Sequence, residues 1–193
     1  NARVMINSQS AALAAALLDI GCVKFGQFKL KSGLLSPIYI DLRLLVTHPR
    51  VLRQVGAAMA ALAREKNLVF DRLAALPYAG LPIGVAVSLE MDRPLIYPRK
   101  EAKDYGTAKL IEGEYKAGEI ALMVDDLITK GNAKIEALKP LLDENLQVKD
   151  IIVLIDREQG GAAELASRGV ALHAVMTLPA ILESLVAQSR LSA

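Results

Sequence analysis

Two adjacent carboxylates, Asp125 and Asp126, stand at the end of the apolar run Ile120-Ala-Leu-Met-Val124, and the small or polar residues Thr129, Gly131 and Asn132 follow closely. The run predicts a buried strand, and the pattern from Gly131 onward predicts a helix. A tight turn at a helix start leaves backbone N–H groups unpaired, and these, with the helix dipole, favour a phosphate. Carboxylates beside a phosphate are repelled by it, so the pair more reasonably accepts hydrogen bonds from sugar hydroxyls or serves a cation. Together the parts point to a ribose phosphate with a divalent metal nearby. An acidic strand end followed by an ordinary helix cap is the plainer alternative that this stretch alone leaves open.

The elements that must position these groups follow from the hydrophobic pattern. Residues 8–20 read as a helix with serine caps and Gly21 as its stop, and the alternating stretches 23–33 and 36–42 read as two or three short strands. Thr47-His-Pro-Arg50 opens a helix that runs to about residue 63, with Thr47 able to cap it. From there strand and helix alternate: strand 73–76, a break at 77–82, helix 83–90, strand 94–97, strand 120–124, helix 131–143, strand 148–156, helix 161–168, strand 170–175 and a last helix opened by Thr177. The interval 99–118 is too charged for core. This rhythm predicts an α/β fold, a mostly parallel twisted sheet flanked by helices, as a single domain over 1–193 with residues 1–45 forming a small N-terminal cap of helix and short strands. Ligands of such a sheet bind beyond the carboxyl ends of its strands. That rule gathers the loops 77–82, 99–118, 125–133 and 156–161 on one edge.

Composition narrows the function classes. A net charge of +2 gives no general reason to bind nucleic acid or a membrane. A single cysteine, Cys22, rules out an internal disulfide framework, and no His/Cys cluster suggests zinc. The apolar run 11–18 is too short to span a bilayer, and a cytoplasmic location is expected. His48, His173 and Cys22 are each isolated and are expected to be structural.

Asp125-Asp126-Leu-Ile-Thr129-Lys-Gly131 resembles the phosphoribosyl pyrophosphate motif of type I phosphoribosyltransferases. Further stretches resemble the orotate phosphoribosyltransferase family: Phe25-Gly-Gln-Phe-Lys-Leu-Lys-Ser-Gly33 with Ser36-Pro-Ile-Tyr39, Pro77-Tyr-Ala-Gly-Leu-Pro82, Tyr97-Pro-Arg-Lys-Glu-Ala-Lys-Asp-Tyr-Gly106 and Asp156-Arg-Glu-Gln-Gly-Gly161. The resemblance implies transfer of ribose 5-phosphate from phosphoribosyl pyrophosphate to orotate, in a homodimer whose mobile loop serves the neighbouring subunit's site.

The roles implied are specific. Asp125 and Asp126 would hold the ribose hydroxyls, and Thr129, Lys130, Gly131, Asn132 and Ala133 would wrap the 5′-phosphate. Tyr78 and Ala79 fall in the turn for pyrophosphate, and Arg99, Lys100, Lys103 and Tyr105 fall in the mobile loop, with Lys103 the main catalytic cation. Arg157 would face the orotate carboxylate, while Lys31 and the backbone at Ile38 and Tyr39 would enclose base and donor from the cap. Magnesium would be bound mainly through phosphoribosyl pyrophosphate, with no dedicated protein ligands. Ala79 stands where many relatives have lysine, Tyr105 where bacterial relatives often have histidine, and Lys130 where small residues are common. A purine phosphoribosyltransferase and a donor-sensing regulator are the alternatives. The first gives no reason for Arg157 with Lys31, and the second would be expected to add a nucleic-acid module.

Overall fold

A computed structural model of the chain describes residues 8–29, 33, 35–99 and 110–191. Helix α1 (Ser8–Asp19) leads into an antiparallel hairpin of β1 (Val23–Lys29) and β2 (Leu35–Ile40), followed by a short 3-10 turn over Leu42–Thr47. The body then runs α2 (Pro49–Glu65), β3 (Arg72–Ala75), α3 (Gly80–Met91), β4 (Leu95–Pro98), β5 (Ile111–Glu112), β6 (Ala121–Ile128), α4 (Asn132–Asp143), β7 (Asp150–Asp156), α5 (Gly161–Ala166), β8 (Ala171–Thr177) and α6 (Leu178–Ala187). Six strands form one sheet in the order β5-β4-β3-β6-β7-β8, parallel throughout except for β5 at the edge. The α/β, mostly parallel architecture expected from the sequence is thus the one observed.

Successive side chains of a strand point to opposite faces, and the central strands use this to bury both. Leu122 and Val124 of β6, with Ile152 and Leu154 of β7, join the cluster formed by α1, α2, α3 and α6. Their neighbours Ala121, Met123, Ile151 and Val153 join the cluster under α4 and α5. Burying each large aliphatic side chain of this kind contributes roughly 1.5–3 kcal/mol, so the two clusters fix the register on which the site depends.

Four local expectations are corrected. Strand β6 continues to Ile128, because β7 offers backbone partners beyond Val124, with Asp125 opposite Val153 and Ile128 opposite Asp156. The two carboxylates therefore lie within the strand rather than past its tip. Thr47 does not cap α2: its hydroxyl donates to the Leu44 carbonyl at 2.8 Å inside the 3-10 turn, which Asp41 caps by accepting from the Arg43 N–H. Helix α2 opens instead at His48 without a side-chain cap bond.

The charged interval after Arg99 returns to the sheet as β5, where Ile111 is fully buried and the Arg99 N–H donates to the Leu110 carbonyl at 2.7 Å. His173 is not isolated, since its Nε2 lies 2.8 Å from Asp150 Oδ1 across β7 and β8. That pairing gives it a structural occupation. Cys22 is buried under the hairpin, as a packed residue would be, and burial followed by the nearby Asp41 charge pushes its thiol up to about 11.

Candidate active site

The strand order dictates where a crevice opens. From β3 the chain crosses to β4 on one side, and from β6 it crosses to β7 on the other, so the turns after neighbouring β3 and β6 diverge. Ligands of open parallel sheets bind at such a switch point. Here one wall is the turn through Tyr78 and Ala79 into α3, and the other is the turn through residues 129–131 into α4.

The first wall comes close. Helix α3 begins at Gly80, where a Cβ would lie 2.8 Å from Asp125 Oδ1 and 3.0 Å from the Val124 carbonyl oxygen. Glycine is what admits the turn beside the carboxylate. Ala79 is buried and Tyr78 is exposed, and the peptide joining Pro77 to Tyr78 is cis.

The carboxylates are unequal. Asp125 is only 6% exposed; its Oδ1 accepts from the Asp126 N–H at 2.8 Å and its Oδ2 is ion-paired with Lys134 Nζ. Asp125 is pushed up to about 7, chiefly by burial and against the pull of Lys134, with the Asp126 charge adding to the rise. Asp126 is half-buried, and its Oδ1 accepts from the Leu127 N–H at 2.7 Å.

On the second wall, Gly131 takes a left-handed φ of 86° at the start of α4, which has no side-chain cap there. That conformation suits glycine and leaves the first-turn amides without a side-chain acceptor at the cap. A cavity of about 420 Å³ is lined by this turn, including Asp126, Thr129, Gly131, Asn132 and Ala133. Lys130 lines it as well but is solvent-exposed. A second cavity of about 520 Å³ is lined by Tyr78, Ala79, Arg99, both carboxylates and the first turns of α4. Arg99 reaches it from the end of β4, its guanidinium donating to Glu112 Oε1 at 2.7 Å.

Other expected site residues are placed separately. Arg157 lies at the same sheet edge, its N–H donating to the Ile128 carbonyl at 3.1 Å; its Nε is buried with no hydrogen-bond partner among the described residues. Ile38 is buried, its carbonyl accepting from the Ser36 hydroxyl at 2.7 Å, and Tyr39 packs its ring 5.5 Å from that of Phe28. Neither lines the two cavities that hold the carboxylates. Lys31, Lys100, Lys103 and Tyr105 lie outside the described residues.

Sequence reasoning passed over Lys134 and Gln159, both on the walls of the cavity at the start of α4. Lys134 carried a readable signal: a cation in the first turn of a helix faces the positive end of the dipole, so something nearby must offset it. Gln159 carried none beyond its place in the loop after β7. Among the described residues no group of three or more His, Cys, Asp or Glu is placed to hold a metal ion, and no helix is long and apolar enough to cross a membrane.

The arrangement offers carboxylate acceptors beside two adjoining cavities, one at a helix start and one beside a guanidinium. No family model matches the chain. It is 41% identical over 181 residues to the uridine 5′-monophosphate synthase of Bos taurus, covering 94% of this chain but only 38% of that protein. It is 40% identical over 176 residues to the orotate phosphoribosyltransferase of Caenorhabditis elegans, covering 91% of this chain and 78% of that one. The crystal structure of orotate phosphoribosyltransferase from Aeropyrum pernix superposes with a TM-score of 0.79 at 31% identity, covering 90% of this chain and 98% of the other. With that identity over most of the length of a relative named orotate phosphoribosyltransferase, and the same fold as a solved one, the chain belongs to the orotate phosphoribosyltransferase family.

Proposed function

We infer that the chain transfers the ribose 5-phosphate group of phosphoribosyl pyrophosphate to orotate, giving orotidine 5′-monophosphate and pyrophosphate, a step of pyrimidine nucleotide synthesis. The observation that carries this reading is the pair Asp125 and Asp126 set at the β3/β6 switch point, between the turn at Ala79 and the turn at Gly131. A donor with phosphate at one end and pyrophosphate at the other fits that spacing of acceptors and anion sites.

In this reading the amides of 131–133 and the Thr129 hydroxyl take the 5′-phosphate, and the carboxylates accept from the ribose hydroxyls. The turn at Tyr78 and Ala79 takes pyrophosphate together with Arg99. The C1–oxygen bond breaks with its electron pair leaving on pyrophosphate, and a ring nitrogen of the orotate anion forms the new bond from the opposite face. Orotate is acidic enough to need no dedicated base. Catalysis is then positioning and stabilisation of the leaving charge, to which Lys100 and Lys103 add. Arg157 pairs with the orotate carboxylate, a reading supported by its buried Nε, which has no hydrogen-bond partner among the described residues.

Asp125 is already tied to Lys134, which makes it a poor ligand for a divalent cation. Any magnesium would then be held mainly through the oxygens of the donor, and would supply neutralisation of the pyrophosphate charge. The whole chain acts as one domain whose first 45 residues, with Lys31, Ile38 and Tyr39, cover the base. A homodimer is favoured by α3, which exposes Val85 and Leu89 one turn apart on its outer face. Phosphoribosyl pyrophosphate and orotate are the partners, without nucleic acid, in the cytoplasm.

Purified protein assayed with donor and magnesium should consume orotate and release pyrophosphate in equal amounts, and should ignore adenine, hypoxanthine and uracil. Turnover of a purine without turnover of orotate overturns the substrate assignment.

A further inference from the structure

Lys134 is buried in a place that disfavours it. It sits in the first turn of α4, where its N–H bonds back to the Gly131 carbonyl at 2.8 Å and where the helix dipole repels a cation. Its side chain is 11% exposed and the Asp125 side chain it meets is 9% exposed, so both charges have given up most of their water. Helical side chains lean toward the N-terminus, which is what lets this one reach back to β6. The residue also lines both cavities, the one around the phosphate turn and the one shared with Ala79 and Arg99. It stands on their common wall.

We propose that Lys134 is a positioning residue for the donor, holding Asp125 as an ionised, fixed acceptor for a ribose hydroxyl between two spaces that both receive phosphate. The proposal rests on the donor reading given above. Two phosphate groups and a second carboxylate around a buried carboxylate all favour its neutral form. Among the described residues, the charged groups facing Asp125 are Asp126 on its own strand, Lys134 and Glu136 on α4, and Arg99 at the end of β4; Arg99 is engaged by Glu112. Lys134 is thus the cation in direct contact. Even with it, burial pushes Asp125 up to about 7. Without it the carboxylate would take a proton rather than remain as an unpaired buried charge, and the charge-assisted bonds to ribose would weaken.

The test reads donor binding itself, by titration calorimetry with magnesium across about pH 6 to pH 9, for the unmutated chain, Lys134→Met, Lys134→Gln and Lys134→Arg. Removing the charge should move the pH profile for donor binding upward by about one unit, so that Lys134→Met and Lys134→Gln bind donor about fivefold more weakly at neutrality, approach about tenfold near pH 6 and converge on the unmutated chain at the alkaline end. Lys134→Gln keeps a hydrogen-bond donor and guards against a misfolded Met variant, and Lys134→Arg should restore most of the affinity with the original profile. A loss of affinity that is the same at every pH, an unchanged profile, or failure of Lys134→Arg to recover overturns the positioning role. Donor binding without orotate turnover in the unmutated chain overturns the substrate assignment and leaves this proposal standing. No donor binding in that chain overturns both.

Discussion

Gly80 and Asp125 are packed so closely that a single methyl group at position 80 would meet the carboxylate oxygen at 2.8 Å. The contact joins the start of α3 to the middle of β6, and so couples the turn proposed for pyrophosphate to the carboxylate proposed for ribose. Gly80→Ala meets backbone as well, the Val124 carbonyl at 3.0 Å, so relief requires α3 to shift. Overpacking of this kind costs about 1–3 kcal/mol. Thermal melting should show that loss, and the donor KM should rise more than the orotate KM. Gly84→Ala, whose Cβ would meet Ala75 Cβ at 2.5 Å away from the carboxylates, is the control: a comparable loss of stability without the selective effect on donor.

Arg157→Ala should raise the orotate KM about tenfold to a hundredfold and leave the donor KM nearly unchanged, as expected for the loss of a charged hydrogen-bonded partner worth about 1.5–3 kcal/mol. Arg157→Lys should recover only part, since a point charge does not replace a planar fork. Steady-state kinetics with each substrate varied in turn decide this, and equal rises in both KM values would count against a carboxylate contact.

The sequence made part of this site legible and hid the rest for a physical reason. Asp125, Asp126, Thr129 and Gly131 fall within seven consecutive residues, so their chemistry could be read from a single strand-to-helix connection, and the alternation of apolar runs gave the parallel sheet. Pairs made by folding were not readable. Lys134 reaches Asp125 across nine positions because a helix side chain leans back over its own start, and Arg99 finds Glu112 only because the chain returns as an edge strand. Leu110 and Ile111 are a two-residue apolar step in a charged interval, too little pattern to announce a strand, yet Ile111 is fully buried. Thr47 had the right type for a cap, but Asp41 organised the preceding turn first. Local chemistry is written locally; electrostatic partners are written in the topology.

Lys103→Ala should lower kcat by about a hundredfold to a thousandfold, the range seen when one group that stabilises developing charge is removed. If the cation acts on departing pyrophosphate, the donor dissociation constant should move much less than kcat. Single-turnover kinetics with excess enzyme separate the two, and a kcat equal to that of the unmutated chain would show that another cation does the work.

Cys22 should behave as a closed thiol. Its pKa, pushed from 9.0 to about 11 by burial and by Asp41, leaves about a hundredfold less thiolate at a given pH than an ordinary cysteine has. Iodoacetamide should therefore label it slowly in the folded chain and fast in denaturant, by at least that factor. The same shift has a stability consequence. Because the folded-state value is raised, its contribution is fully present below the unfolded value near 9 and is lost as pH rises through the folded value near 11. Cys22→Ala removes this titration, so its melting midpoint should fall less than that of the unmutated chain between those two pH values. Asp41 supplies the smaller share of the shift, and its backbone N–H bonds to the Cys22 carbonyl at 2.8 Å where the hairpin closes. Asp41→Asn should then speed labelling modestly by charge alone, whereas a rate that jumps to that of the denatured chain would mean the hairpin itself has opened.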